Sequence, residues 1–331
     1  MKPKLLIVEL WGLGDLVIGS PLLGAAVEQY DVTLLAKPYA VQLQQRLWPG
    51  VRVIPFVAPW TAFKGKYRMW RWPLRTLAGM LWQLRRERFD FGASARWDPR
   101  DHLLLALVGV KARLGYARLG SGYFLTQHLQ RPAAECHRYE YWWTLGNSLQ
   151  LRLPSLNAIP VAPPHPSRTI LVHTGAGQAV RVWPLERFQK ITTRLRAEGF
   201  TVVVACDPDQ YDDWLRIGES AVVSPTSVDD LFALIEDAGL FIGNDSGPGH
   251  LAAACGVPTF SVFGPQLPEW FAPLHPGGES VEGKPCPYKP CSDYCRFAEP
   301  VCLTRLSEGE VWARLKQFLD RHARASAPAG H

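Results

Sequence analysis

Residues 241–265 read FIGNDSGPGHLAAACGVPTFSVFGP, and this stretch decides the fold class. The apolar run 240–242 predicts a buried strand that ends in a turn rich in Asn, Asp, Ser and Gly. Small residues at 250–255 then predict a helix, Gly256 its end, and 258–263 a second strand. The alternation of strand, helix and strand is typical of a parallel α/β sheet.

The turn between the first strand and the helix has the composition of an anion site. Ser246 or Gly247 can cap the helix, and the free amides of its first turn then point into the loop. Unpaired N–H groups and the helix dipole both favour a phosphate there. An ordinary strand-to-helix turn is the alternative interpretation of the same residues.

The amino-terminal residues repeat this arrangement. Residues 4–10, KLLIVEL, predict a buried strand, and GLGD at 12–15 precedes an apolar helix that runs to about residue 29. Glycines at such a turn allow the backbone or a ligand to approach closely. Asp15 falls at the start of the helix, as a functional carboxylate or as a capping acid.

A third loop follows the predicted strand 169–172. It reads HTGAG at 173–177 and continues to Arg181 and Pro184, ahead of a predicted helix at 185–197. Proline is favoured in the first turn of a helix. The guanidinium of Arg181 then lies where a cation can meet a phosphate.

Together the three loops resemble glycosyltransferase family 9, the heptosyltransferases of lipopolysaccharide synthesis. The family's Gly-Asp with a proline six residues later is present at 14–15 and Pro21, and its Lys-x-Trp-Pro element is present at 181–184. Its Asn-Asp-Ser/Thr-Gly-x-x-His-x-Ala-Ala-Ala signature is complete at 244–254. The chain departs from the family at Arg181, where lysine is usual.

The resemblance implies the GT-B fold, an α/β architecture of two Rossmann-like, doubly wound domains facing each other across a cleft. We expect an acceptor-binding domain at 1–158 and a nucleotide-sugar-binding domain at 167–305. The segment 306–331 is expected to form a helix that packs back on the first domain. The five prolines of 154–166 predict the linker.

The expected reaction is an inverting, metal-independent transfer of a sugar, heptose from ADP-heptose by family resemblance, to a lipopolysaccharide inner-core acceptor. Asp15 is predicted to accept the proton of the acceptor hydroxyl, and Arg181 to stabilise the charge that develops on the diphosphate. Predicted donor-binding residues are Thr174, Gly175, Asp209, Asp245, Ser246, Gly247 and His250. Predicted acceptor-binding residues are Gly14, Arg85, Arg86 and Arg96.

Some of these roles have structural alternatives. Asp245 is equally well explained as a turn-stabilising residue, and for His250 a packing role is preferred to a catalytic one. Family resemblance favours Asp209 or Asp207 as a partner of the nucleotide ribose. The Asp-x-Asp at 207–209 is also a pattern that carries a metal in another glycosyltransferase fold, but the surrounding sequence is wrong for that fold.

No cofactor is expected. Four cysteines share the spacing C-x4-C-x3-C-x6-C, at Cys286, Cys291, Cys295 and Cys302. Four thiolates can bind zinc in a tetrahedron, but strong zinc signatures have compact C-x2-C pairs. We therefore favour packed free thiols over a zinc site.

The composition fits a globular protein of two domains. The chain has 331 residues, of which 47% are hydrophobic and 20% charged. No apolar run approaches the roughly 18 residues that cross a bilayer. Glu9 and Asp15 interrupt the amino-terminal apolar run, so we reject a signal peptide and expect a cytoplasmic protein.

The net charge of +6 is concentrated in residues 60–88, where eight basic residues and four tryptophans are interleaved. This mixture is typical of contact with an anionic membrane surface or a lipid-linked acceptor, which predicts a peripheral location on the inner membrane. A solvated face of an amphipathic helix is the alternative. No nucleic-acid motif accompanies the basic residues, and we expect no nucleic-acid partner.

Three other functions remain alternatives. A nicotinamide dehydrogenase shares the fold class, but Asp15 takes the place of the third glycine of its fingerprint. A glycosyl hydrolase requires a carboxylate pair that is not evident. The donor loop is also compatible with a non-catalytic nucleotide-sugar-binding protein. It is equally compatible with a family member that uses another nucleotide sugar.

Overall fold

The computed structural model describes residues 2–61, 72–162, 167–291 and 294–325. The chain divides into two compact units, Met1–Ala158 and Ile159–His331. Each unit is a parallel sheet with helices connecting the strands, as the alternation of apolar runs and turns predicts.

The first unit has six described strands in the order β3-β2-β1-β4-β5-β6. The strands are β1 (Lys4–Glu9), β2 (Asp31–Ala36), β3 (Arg52–Pro55), β4 (Phe91–Ala93), β5 (Ala112–Gly115) and β6 (Gln127–His128). The helices are α1 (Leu13–Ile18), α2 (Ser20–Gln29), α3 (Ala40–Leu47), α4 (Leu74–Glu87), α5 (Pro99–Val108) and α6 (Tyr139–Ser148).

The second unit has five described strands in the order β11-β10-β9-β7-β8. The strands are β7 (Thr169–His173), β8 (Thr201–Ala205), β9 (Leu240–Asn244), β10 (Thr259–Phe263) and β11 (Glu279–Glu282). The helices are α7 (Leu185–Ala197), α8 (Tyr211–Arg216), α9 (Val228–Glu236), α10 (Gly247–Ala254), α11 (Pro268–Phe271), α12 (Val301–Thr304) and α13 (Glu308–Ala325).

Strand order determines where each sheet offers a binding crevice. The order reverses between β1 and β4 in the first unit and between β7 and β9 in the second. At such a reversal the loops that follow the two strands leave in opposite directions, and ligands bind beyond the carboxyl ends of the strands. The loops that carry Asp15 and Ser246 both begin at these positions.

The single helix expected after Asp15 is two helices, and packing explains the break. α1 ends at Ile18 and α2 begins at Ser20, with Gly19 between them. A Cβ on Gly19 would lie 2.8 Å from the Trp142 ring of α6, closer than carbon atoms approach, so only glycine fits at this junction.

The last helix, α13, contributes its apolar face to the core of the second unit. Leu315 and Phe318 are buried there, and the Phe318 ring lies 5.7 Å from that of Phe260 on β10. The expected contact of this helix with the first domain stays a prediction.

Candidate functional site

In the first unit, Asp15 lies in the first turn of α1, three residues after the N-cap Gly12. The Gly12 amide donates a hydrogen bond to Asp15 Oδ2 over 3.3 Å, so the carboxylate does cap the helix. A fifth of its side chain is nevertheless accessible to solvent. The capping interaction therefore orients the carboxylate and leaves it accessible to a substrate. The predicted acceptor residue Gly14 lies in the same turn.

Arg96 follows β4 on the other side of the sheet reversal and pairs with the Asp15 carboxylate. Its Nε also lies 3.6 Å from Glu9 Oε2, and its guanidinium lies 5.4 Å from the centre of the Trp11 ring. Burial alone would lower the pKa of Arg96, but the charges of Asp15 and Glu9 outweigh burial and raise it. Arg96, predicted to bind acceptor, thus contacts the predicted base.

Glu9 was not predicted as a site residue. It is the last residue of β1, its side chain is 1% exposed, and Oε1 accepts a hydrogen bond from the Trp11 amide over 3.0 Å. Burial raises its pKa to about 7, against the lowering effect of Arg96. The signal in the sequence was an acid at the end of an otherwise apolar strand.

Asp101 on α5 is a second buried carboxyl that sequence reasoning missed. Its Oδ2 accepts a hydrogen bond from Ser94 Oγ over 3.0 Å, and Oδ1 has no hydrogen-bond partner among the described residues. Burial and the nearby Asp98 raise its pKa to about 8. Ser94 Oγ also accepts a hydrogen bond from the Arg96 amide over 3.1 Å, which connects Asp101 to the Arg96 loop.

The two other predicted acceptor residues lie in the last turn of α4. Arg85 donates a hydrogen bond to the Leu107 carbonyl at the end of α5 over 2.9 Å. The Arg86 guanidinium lies 4.6 Å from the centre of the Trp82 ring, which is 63% exposed. Their contact with an acceptor stays a prediction.

The tryptophans of the basic stretch 60–88 are not all at the surface. Trp60 is 5% exposed and belongs to the core of the first unit, where its ring lies 5.8 Å from that of Trp72. Trp60 is therefore a core residue, and membrane contact by the rest of the stretch stays a prediction. Five members of the stretch lie outside the described residues: Lys64, Lys66, Arg68, Trp70 and Arg71.

In the second unit, Asn244 joins the loops at the sheet reversal. It ends β9, is fully buried, and donates from Nδ2 to the Thr174 carbonyl over 2.8 Å. Its Oδ1 accepts a hydrogen bond from the Trp183 amide over 3.1 Å. One amide side chain therefore fixes both ends of the loop between β7 and α7 against the signature turn.

The predicted donor residue Thr174 is buried, and its hydroxyl is bound within the protein. Thr174 Oγ1 donates to Gln210 Oε1 and accepts from Trp214 Nε1, both over 3.0 Å. At Gly175, a Cβ would lie 2.3 Å from the Asp207 carboxyl group, which packs directly on the glycine. Burial and the neighbouring Asp209 raise the pKa of Asp207.

Arg181 and Asp245 were predicted separately, and the structure pairs them. Arg181 Nη1 lies 3.4 Å from Asp245 Oδ2, with the aspartate side chain 3% and the arginine side chain 26% exposed. A buried carboxylate thus orients an accessible guanidinium beside the signature turn. Both interpretations of Asp245, as a donor-binding and as a turn-stabilising residue, stay predictions.

The signature helix α10 begins at Gly247, three residues before the predicted start, and Ser246, one of the two predicted caps, is its N-cap. Ser246 Oγ makes no capping bond, and it has no hydrogen-bond partner in the described part of the chain although it is buried. Pro248 has no N–H, so the Gly247 and Gly249 amides are the donors that the first turn offers. These groups form a site suited to an anion.

His250 is buried one turn into α10, and its preferred packing role stays a prediction. His173, at the end of β7, was not predicted. Burial lowers its pKa to about 4, so its ring is neutral at physiological pH. Within the described ranges its Nδ1 has no hydrogen-bond partner.

The four cysteines Cys286, Cys291, Cys295 and Cys302 line one small pocket, together with Lys289. Burial, and the neighbouring thiols to a smaller degree, raise the pKa of Cys291. Across residues 2–61, 72–162, 167–291 and 294–325, no three His, Cys, Asp or Glu side chains are arranged to hold a metal ion. The preference for free thiols stays a prediction.

No helix in the described part of the chain combines the length and the apolar character that spanning a membrane requires.

Solved structures with the same architecture are GT-B heptosyltransferases, and the fold of this chain is GT-B. A family 9 glycosyltransferase from Veillonella parvula aligns with a TM-score of 0.76 over 97% of this chain and 98% of its own, at 16% identity. Escherichia coli heptosyltransferase WaaC with ADP aligns with a TM-score of 0.74 over 96% and 99%, also at 16% identity. Escherichia coli ADP-heptose LPS heptosyltransferase II gives a TM-score of 0.71 over 97% and 99%, at 16% identity.

The model of glycosyltransferase family 9 (heptosyltransferase) matches residues 97–299, and the chain belongs to this family. Lipopolysaccharide heptosyltransferase 3 of Escherichia coli K12 is 35% identical over 105 residues, 29% of this chain and 30% of the relative. Lipopolysaccharide heptosyltransferase 1 of Pseudomonas aeruginosa is 26% identical over 164 residues, 44% of this chain and 46% of the relative. The matched regions therefore span less than half of these relatives.

Proposed function

We propose that this protein is an inverting, metal-independent glycosyltransferase that transfers a sugar, heptose from ADP-heptose, to a lipopolysaccharide inner-core acceptor. The proposal rests on which groups lie at the reversals of strand order in the two sheets. A carboxylate, Asp15, lies at one, and an anion-binding helix terminus with Arg181 lies at the other. A glycosyl transfer requires both a base and a group that stabilises a departing diphosphate.

The donor end of the reaction belongs to the second unit. As the bond between the anomeric carbon and the diphosphate oxygen breaks, negative charge accumulates on the diphosphate. The Gly247 and Gly249 amides and the helix dipole of α10 stabilise that charge. Arg181, oriented by Asp245, adds a full positive charge. Ser246 Oγ, buried and with no hydrogen-bond partner in the described ranges, is available to donate to a phosphate oxygen.

The acceptor end of the reaction belongs to the first unit. The acceptor hydroxyl attacks the anomeric carbon from the face opposite the diphosphate, which inverts the configuration. Its proton passes to the Asp15 carboxylate, and the nucleoside diphosphate leaves with the electron pair of the broken bond. Arg96 holds the Asp15 carboxylate in place before the transfer. Neither half of the reaction requires a metal ion, because fixed cations and amides supply the positive charge.

The identity of the donor is proposed from the relatives. The names of the matched proteins include lipopolysaccharide heptosyltransferases, and two similar structures hold ADP or ADP-2-deoxy-2-fluoro heptose. Asp209 and Asp207 are the proposed partners of the ribose. Both follow β8 beside Gly175, where Asp207 packs on the glycine loop.

We also propose that the protein works as a peripheral protein on the cytoplasmic face of the inner membrane. The support is the exposed surface of α4, where Leu74 and Trp82 are each 63% exposed and Arg86 packs over the Trp82 ring. Apolar and basic side chains on one helix favour an anionic lipid surface. A lipid-linked acceptor would be presented at the same surface.

The proposal is tested by incubating the protein with a panel of nucleotide sugars and an inner-core acceptor, and by following product masses. A new acceptor mass from ADP-heptose, with ADP released and chelator without effect, supports the donor, the transfer and its independence of metal, and the anomeric configuration of the product, read by NMR, tests inversion. Product from another nucleotide sugar would correct the donor. Donor binding with no product from any acceptor would favour a nucleotide-sugar-binding protein.

A further inference from the structure

We propose that Glu9 is a positioning residue for the Asp15 base: through Arg96, which contacts both carboxyl groups, the charge on Glu9 sets how strongly Arg96 holds the Asp15 carboxylate. The inference rests on the proposed function, because it assigns Asp15 the role of base.

The geometry is a single guanidinium between two acids. Arg96 pairs with Asp15 through Nη2 and approaches Glu9 Oε2 with Nε, at 3.6 Å. The Glu9 side chain is 1% exposed, so water cannot screen its charge. One guanidinium cannot fully neutralise two carboxylates in a buried site, and the two acids therefore compete for it.

The competition has a direction. When Glu9 is neutral, the positive charge of Arg96 acts on Asp15 alone and makes Asp15 a weaker proton acceptor. When Glu9 is ionised, it shares Arg96 and repels the negative charge of Asp15. The Asp15 carboxylate then accepts a proton more readily. Glu9 therefore strengthens the base without touching the substrate.

The groups around Glu9 place its ionisation near neutral pH. Burial raises the pKa of Glu9 to about 7, and Arg96 and the Trp11 amide limit the rise. The charged and titratable groups that act on Glu9 come from the loops and helices around the end of β1. They are Arg96, Asp15, Asp101, Arg138, Lys37 and Tyr39. Burial also lowers the pKa of Lys37, and it lowers that of Arg138 to about 10, so Arg138 stays cationic where Glu9 titrates.

The test is the pH dependence of kcat for the wild type and Glu9→Gln between pH 6 and 8.5. Glutamine keeps the shape and can still accept from the Trp11 amide, but it cannot ionise. We expect the wild type and the variant to have equal kcat at pH 6. At pH 8 the kcat of the variant should be about tenfold lower, because its Asp15 is a weaker base. A purely structural role would lower kcat by the same factor at every pH.

Asp101→Asn is the matched control, because Asp101 is the other buried carboxyl of the cluster and contacts Ser94 rather than the Arg96 guanidinium. This variant should keep the rise of kcat with pH. The inference is overturned if Glu9→Gln keeps the rise, or if only Asp101→Asn removes it.

A second measurement needs neither activity nor a variant that folds. In carboxyl-labelled wild-type protein, the carbon NMR signal of Asp15 should shift in a second step near pH 7, when Glu9 ionises. A single-step titration of Asp15 would overturn the inference. If Asp15 shows the second step but no sugar is transferred, only the proposed function is contradicted. If sugar is transferred but Asp15 titrates in a single step, only the role of Glu9 is contradicted.

Discussion

Arg181 Nη1 lies 3.4 Å from Asp245 Oδ2, and this contact brings the cation of one loop to the signature turn of another. Glycosyltransferase family 9 usually has lysine at this position, but arginine has a planar fork of donors that can bind a carboxylate and a phosphate at once. The 3% exposure of the Asp245 side chain makes it a fixed support rather than a mobile partner.

We predict that Arg181→Gln weakens ADP binding by about tenfold, near 1.4 kcal/mol, because a charged contact to phosphate is lost. Isothermal titration with ADP measures the effect. Lys190→Gln, which removes an exposed cation of α7 that pairs with Glu308, is the control and should bind ADP normally. Equal affinities for all three proteins would place the diphosphate away from Arg181.

Asn244→Ala should lower the free energy of unfolding by about 1–3 kcal/mol, because the Thr174 carbonyl and the Trp183 amide both lose a buried partner. Urea denaturation followed by tryptophan fluorescence measures the loss. Asn147→Ala, on the surface end of α6, is the comparison and should change stability by less than about 0.5 kcal/mol. A loss this small for Asn244→Ala would mean that water replaces both contacts.

Much of the architecture followed from local patterns. Strands β7 and β10 and helix α7 lie within a residue of their predicted bounds, because apolar runs bounded by Gly, Pro or polar turns are local signals. Strands β5, β6 and β11 were not predicted. β5 is ARLG, β6 has two exposed residues and β11 has a glutamate at each end, so none of the three contains an apolar run.

Site residues that belong to a local sequence motif could be predicted. Roles that depend on contacts between distant parts of the chain could not. Asp15 and Ser246 follow from their position at helix starts. The bridging role of Asn244 depends on Thr174, 70 residues earlier in the chain. The pairing of Glu9 with Arg96 depends on the adjacency of β1 and β4, which no local pattern of either segment specifies.

The raised pKa of Glu9 predicts how stability changes with pH. The ordinary value is 4.5 and the folded value about 7, so between these the folded state holds a proton that the unfolded chain has released. The contribution of this proton to stability is complete below about pH 4.5 and is lost as the pH rises through 7. The free energy of unfolding should therefore fall by up to about 1.4 kcal/mol per pH unit in this window.

Urea denaturation at several pH values measures this slope. Glu9→Gln should flatten the slope. Burial raises the pKa of Asp101 to about 8, and Asp101→Asn should leave the contribution of Glu9 to the slope unchanged. A slope that is the same in the wild type and Glu9→Gln would contradict the buried, protonated state of Glu9.

The surface of α4 predicts binding to anionic membranes. Arg86→Glu and Trp82→Ala should each weaken binding to vesicles that contain anionic lipid, with about 1 kcal/mol expected for a basic residue at such a surface. Sedimentation with vesicles at low and high salt measures the effect, which salt should reduce. Arg216→Glu, on an exposed side chain of the second unit, is the control. Wild-type binding that is absent, or insensitive to salt and to both variants, would make α4 an ordinary solvated helix.

The most direct test of the central claim is the transfer rate of Asp15→Asn, compared with its affinity for ADP. Asparagine keeps an acceptor for the Gly12 amide but cannot take a proton, so the helix start should survive. We predict that transfer falls by about 100- to 10,000-fold while the Kd for ADP stays unchanged. Transfer within a few-fold of the wild type would contradict the assignment of Asp15 as the base and the mechanism that depends on it.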